Sequence, residues 1–123
     1  MIAYKYPNKD KRIDLYSMVI HRDSNNNKIY VKKHFLPRGR LMKAYVVDMV
    51  AESNESYIPV PVNRTSFNVN WRRNVDIGMY IDYYGKTYKV IGKDELDYRH
   101  TEMRLVGETI ATPHYDEERW GTL

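Results

Sequence analysis

The sequence predicts an all-β fold: a small antiparallel β-barrel or sandwich of about seven short strands, with one long loop and extended termini. Three observations carry this expectation. Between Phe67 and Val106 apolar and polar residues alternate, the period of strands with one buried face. Turn-forming clusters punctuate the chain at Asp23–Asn27, Pro37–Arg40 and Gly85-Lys86. The one run with helix-compatible composition, Lys43–Ala51, contains Val46-Val47 and is short, which favours a strand.

Taken in order, residues 1–11 read as a mobile arm, polar and broken by Pro7. Ile13–Ile20 and Lys28–Leu36 alternate as strands around the Asp23–Asn27 turn, because Asn and Asp tolerate left-handed backbone. Residues 12–110 are expected to form the barrel domain, interrupted by an irregular loop at 52–64. That loop carries Pro59 and Pro61, which remove ladder donors, and loops of this length in small domains are often functional. Phe67, Val69 and Trp71 then share one face, and Met79, Ile81 and Tyr83 repeat the pattern. Gly85-Lys86 is expected to make a type II′ turn with Gly at its first central position. Tyr88 and Val90 continue the buried face, Gly92–Asp97 reads as a loop, and Thr101–Ile110 closes the sheet through Met103 and Leu105. Residues 111–123 form a C-terminal tail with Pro113, an acidic triplet at 116–118 and Trp120.

A chain of 123 residues is expected to form one domain. No apolar run approaches the ~20 residues of a membrane span, and the N-terminal stretch lacks the apolar segment of a signal peptide. With no Cys there is no disulfide, thiol nucleophile or thiolate metal site, and a reducing cytoplasm is the natural setting for assembly. The net charge of +4 is divided unevenly. Residues 1–74 hold 14 Lys and Arg against 6 Asp and Glu, a net +8; residues 75–123 hold 6 against 10, a net −4. Folding either mixes these charges or leaves a subunit whose basic part meets an acidic neighbour.

Chemistry-bearing patterns are sparse. His21, His34, His100 and His114 stand far apart without metal-ligand spacing and read as isolated surface histidines. Asp94, Glu95 and Asp97 lack the ligand order of a calcium loop. No serine has a nucleophile context and no Gly-rich phosphate cradle occurs. The expectation is a non-enzyme with no catalytic residues, metal or cofactor. Nucleic-acid binding is the alternative. Lys32-Lys33-His34, Arg38-Gly-Arg40 and Arg64–Arg73 are basic clusters interleaved with Tyr30, Phe35 and Trp71, a combination that single-strand-binding OB-like or SH3-like modules use. Trp71, in register with Phe67 and Val69, is expected in the core instead. The tail with Tyr115 and Trp120 has two readings, a disordered end or an aromatic anchor that docks on another subunit, and docking is the expectation.

From Arg12 to Ile110 the order of features resembles the head–tail joining (head-closure, or stopper) proteins of long-tailed bacteriophages. The residues that carry the likeness are Arg12-Ile13-Asp14-Leu15, the Asp23–Asn27 turn, Ala44-Tyr45-Val46 and the irregular loop at 52–64. They continue with Phe67 and Val69, Ile77–Ile81, Tyr84-Gly85-Lys86 with Tyr88 and Val90, and Arg99 leading to Met103 and Leu105. The arm and the tail exceed the family's compact pattern, and Pro59-Val60-Pro61 replaces a Ser-Gly-rich loop.

The resemblance implies a virion protein without catalysis, assembled in the host cytoplasm as a ring of roughly twelve copies. The ring would sit below the portal and adaptor proteins, close the DNA-filled head, and give the tail-completion or tail-terminator protein its platform. Packaged double-stranded DNA would pass through the channel. The implied contact residues are Glu52, Glu55, Tyr57, Ile58 and Arg64 of the loop, facing the channel or a neighbour. Arg38 and Arg40 of the basic cluster, with Tyr115 and Trp120 of the tail, complete the expected interface. A tail-completion ring is a further reading of the same features.

Overall fold

A computed structural model describes residues 8–49, 64–96 and 99–121. Eight strands form it: β1 (Lys11–Arg22), β2 (Lys28–His34), β3 (Met42–Met49), β4 (Arg64–Asn70), β5 (Tyr80–Tyr83), β6 (Lys86–Glu95), β7 (Glu102–Ile110) and β8 (Glu117–Trp120). Among the described residues none is helical. The strands lie in one sheet, ordered β3-β4-β7-β6-β5-β1-β2-β8, and a further β3–β1 pairing returns the sheet on itself. Six strands therefore close a barrel, which removes their edges.

β1 makes this closure possible by changing pairing partners along its length. Its first residues, Lys11–Ile13, pair with β3, and Asp14–Tyr16 pair with β5 on the opposite edge. From Tyr16 to Arg22 it leaves the barrel and pairs with β2. β2 and β3 thus follow one another along the same edge of β1, separated by the corner at Phe35–Leu41; the Phe35 N–H donates to the Leu15 carbonyl at 2.8 Å. The β1–β2 hairpin projects as a wing, and β8 adds to it in parallel with β2.

The core repeats the alternation of the sequence. Ile13, Leu15, Met42, Ala44, Phe67, Val69, Ile81, Tyr88, Val90, Met103 and Leu105 are buried inside the barrel, with Val75 and Met79 from the β4–β5 connection. Phe67 meets Tyr88 edge-on, with centroids 5.2 Å apart and planes at 71°, the favoured geometry for an aromatic pair. Trp71 is only half-buried: it packs against the rim of the core, and its indole N–H donates to Glu95 at 3.2 Å.

The structure corrects several local expectations. Strands number eight because the tail supplies β8. Gly92–Glu95 continue β6 rather than forming a loop; a bulge between Val90 and Gly92 carries the strand past the irregularity. The β5–β6 turn has Tyr84 and Gly85 at its centre, with φ of 54° and 77°. Both are positive, so the turn is type I′ and not II′. β1 begins at Lys11, and Lys9 already forms an ion pair with the buried Glu102 of β7.

Candidate functional site

Two features stand out once the barrel is in place: a polar network partly covered by the tail, and a basic cleft at the β2–β3 corner. The network starts from sheet register. Tyr80 of β5, Tyr16 of β1, His34 of β2 and Trp120 of β8 occupy successive partner positions, so their rings form one row across four strands. Tyr16 and Tyr80 stack with centroids 5.6 Å apart, and His34 and Trp120 stack at 5.0 Å with planes 5° from parallel. The Arg38 guanidinium caps the row, 4.7 Å from the Trp120 ring centre.

Beside the row lies a cluster organised by Asp82. Its Oδ1 accepts from the Tyr16 hydroxyl and the Thr87 hydroxyl, each at 2.9 Å, and its Oδ2 accepts from Lys32 Nζ at 2.8 Å. Lys32 is only 8% exposed and lies 4.3 Å from the Tyr16 ring centre. Burial raises the Tyr16 hydroxyl far above an ordinary phenol, and its hydrogen bond to the Asp82 carboxylate adds to this. For Lys32 burial works against the charge, yet the hydrogen bond and attraction to Asp82 outweigh it, and the ammonium ends above its usual value. Both groups hold their protons, so the cluster acts as a tie between β1, β2 and β5.

The tail covers this cluster. Thr112 and Thr87 share a hydrogen bond at 3.0 Å where the tail leaves β7. Tyr30 N–H then donates to the Asp116 carboxylate at 2.8 Å while Asp116 N–H donates to the Tyr30 carbonyl at 2.8 Å. His34 Nδ1 lies 2.9 Å from Asp14 and its Nε2 3.2 Å from Glu118. Tyr115 donates to Glu118 at 2.6 Å, the leading cause of the low Glu118 pKa, helped by His34. The Tyr30 amide does the same for Asp116. Gly121 closes the strap: its N–H donates to the His34 carbonyl at 3.0 Å, and a Cβ there would sit 2.4 Å from the Phe35 carbonyl oxygen.

The basic cleft has a volume of about 230 Å³ and is lined by Leu36, Pro37, Arg40, Leu41, Met42, Lys43, Asn70 and Arg72. Among the described residues no carboxylate lines it. Arg40, Lys43 and Arg72 have no acidic partner among the described residues. β3 begins and β4 ends at this cleft, which brings the corner and the β4–β5 connection together.

The expected interface residues do not converge. Arg40 lines the cleft and Arg38 sits beside it on Trp120. Arg64 starts β4 at the other end of the β3–β4 pair, roughly 23 Å away at the usual strand rise. Glu52, Glu55, Tyr57 and Ile58 lie outside the described residues. Tyr115 and Trp120 are engaged within their own chain through Glu118, Lys32, His34 and Arg38. His34 is 8% exposed and held by two carboxylates, not an isolated surface histidine. His100 tilts against Trp71 at 4.6 Å. The sequence offered no signal for Asp82 as an organising carboxylate or for Lys43 as part of a basic site, whereas Arg72 belongs to the basic segment Arg64–Arg73.

Among the described residues no group of His, Asp and Glu could hold a metal ion, and no helix is long and apolar enough to cross a membrane. No family model matches the chain, and no curated protein matches it in sequence. The chain is similar in fold to the solution structure of protein SF1141 from Shigella flexneri 2a. The TM-score is 0.63 at 17% identity, over 86% of this chain and 96% of that one. The likeness concerns the fold.

Proposed function

We propose that this chain is a structural subunit of the head–tail junction of a long-tailed bacteriophage, assembling as a ring and acting through contacts rather than catalysis. Among the described residues, motifs that resemble head-closure proteins fall on strands β1, β3, β4, β5, β6 and β7 and on the turns between strands, and an all-β barrel is the fold that resemblance implies. One observation carries the reading furthest: how the charges remain after folding. Among the described residues three basic side chains of the first half pair with carboxylates of the second, in Lys9–Glu102, Lys32–Asp82 and His34–Glu118. Arg40, Lys43 and Arg72, which have no acidic partner among the described residues, gather at one corner. A ring subunit needs a localised face of one sign to meet an acidic surface on portal, adaptor or neighbour, or the packaged DNA.

The test mixes purified protein with portal–adaptor particles and follows co-sedimentation. Binding that is lost in Arg40→Glu/Arg72→Glu supports the reading. Failure to join the particles, together with phage that lack the protein yet retain their DNA, overturns it. A single-strand-binding module is the second reading, favoured by the same three cations. Its stacking platform is weaker, because Trp71 and Trp120 are both already occupied by histidine rings. Oligonucleotide affinity that falls steeply with salt is its signature.

A further inference from the structure

We propose that the outer edge of β1 beyond Tyr16 is a strand-acceptor site, filled by the N-terminal segment Ile2–Tyr6 of a second copy of this chain. This deepens the ring reading and rests on it. β5 covers β1 only as far as Tyr16, opposite Tyr80. Before Tyr80 the chain turns away toward β6, where Gly78 N–H donates to the Val90 carbonyl at 2.8 Å. The Leu15 carbonyl points toward the β2 side, since it accepts from Phe35 N–H. Backbone groups alternate along a strand, so those of Met18, Ile20 and Arg22 point to the other edge. Among the described residues Met18 and Ile20 have no main-chain partner there.

This edge lacks the usual protections. No proline or bulge interrupts Ser17–Ile20, and no lysine stands within it. It borders an apolar groove of about 480 Å³ lined by Met18, Ile20, Tyr30, Tyr80, Pro113 and His114. Ile20 and Tyr30 are partners on that face and remain 56% and 42% exposed. An unprotected edge beside exposed apolar side chains is suited to β-augmentation: the main chain supplies hydrogen bonds and the groove takes every second side chain.

The segment Ile2-Ala3-Tyr4-Lys5-Tyr6 has the matching pattern. Ile2, Tyr4 and Tyr6 would face the groove, with Ala3 and Lys5 on the opposite side. Its five residues equal the span from Met18 to Arg22, and Pro7 ends the donor strand. Donation from one copy to the next is a heterologous contact, the kind that closes into rings.

The absence of native cysteine makes the test clean. Full-length Tyr4→Cys is mixed under mild oxidation with Met18→Cys, Ile20→Cys or, as control, Lys89→Cys on β6. Mixed disulfides with Met18→Cys or Ile20→Cys at least tenfold above the control support the proposal. No excess overturns it. So does an intrachain disulfide in the Tyr4→Cys/Ile20→Cys double variant, which would mean that the chain's own arm fills the edge. Ile20→Cys linking chiefly to itself would mean edge-to-edge pairing of two β1 strands, and also overturns it. Rings seen by electron microscopy without the crosslink sink the acceptor edge alone; the crosslink without rings or particle binding sinks the ring reading alone.

Discussion

The imidazole of His34 lies flat on the indole of Trp120, at 5.0 Å and 5° from parallel, while its two nitrogens reach carboxylates on different strands, Asp14 and Glu118. One side chain thereby ties the last strand to the hairpin and the hairpin to the barrel. The tail is part of the sheet and covers Lys32, Tyr16 and Asp82, groups that need their partners if they are to stay under cover.

Trp120→Ala removes the stack on His34 and the platform beneath Arg38. Because the ring is half-buried, the expected loss is about 2–3 kcal/mol, read as a lower urea midpoint with an unchanged slope. Gly121→Ala is expected to release the strap as well, since the added methyl meets the Phe35 carbonyl. Hydrogen exchange at β8 checks both. An unchanged midpoint with β8 still protected would show that the strap contributes nothing.

Acid is expected to loosen the strap before the barrel. Glu118 is held below its ordinary 4.5 by the Tyr115 hydrogen bond first and by His34, and Asp116 below 3.8 by the Tyr30 amide. Lowered values mean that the unfolded chain takes up protons first. The stability these groups add is present above about pH 4.5 and disappears as pH falls through their folded values. Lys32 works in the opposite sense: its raised value adds stability below its ordinary 10.5, lost as pH rises through the folded value. Trp120 fluorescence followed from pH 6 to pH 2, alongside circular dichroism of the barrel, checks the acid limb. A strap signal that never precedes the barrel signal contradicts it.

Lys9→Ala strands Glu102, whose side chain is buried and whose Oε2 has no hydrogen-bond partner. Leaving one member of such a pair costs about 3–5 kcal/mol. The expected result is a large fall in melting temperature, partly recovered by adding Glu102→Gln, which removes the uncompensated charge. A near-wild-type melting temperature for Lys9→Ala would mean that the pair is solvated.

Phe67→Ala and Trp71→Ala are expected to separate. Phe67 is fully buried between Tyr83 and Tyr88, and its truncation is worth about 3–5 kcal/mol. Trp71 lies at the rim, with Glu95 and His100 around it, and its loss is expected to cost about half as much. Equal losses would place Trp71 in the core after all. Arg40→Glu/Arg72→Glu, by contrast, is expected to leave stability within about 0.5 kcal/mol, because neither cation has an acidic partner in the described chain.

Alternation alone determined the all-β class and the buried faces of β4 to β7, because a period of two leaves one side for the interior whatever the strand order. It locates Phe67, Val69, Ile81, Tyr88, Val90, Met103 and Leu105 on the buried face, where the fold has them. Arg40 and Arg72 were legible as members of two separate basic segments, which only the fold brings together with Lys43. What only the tertiary structure decided is pairing at long range. A four-residue strand in a charged tail carries no periodic signal, and β8 exists because β2 offers it an edge and His34 a ring to lie on. Asp82 gathers Tyr16, Lys32 and Thr87 from three other strands, and no spacing in the sequence announces it. Charge distribution followed the same rule: the sequence counts its cations and anions, but only folding selects which of them cancel and which stay exposed to a partner.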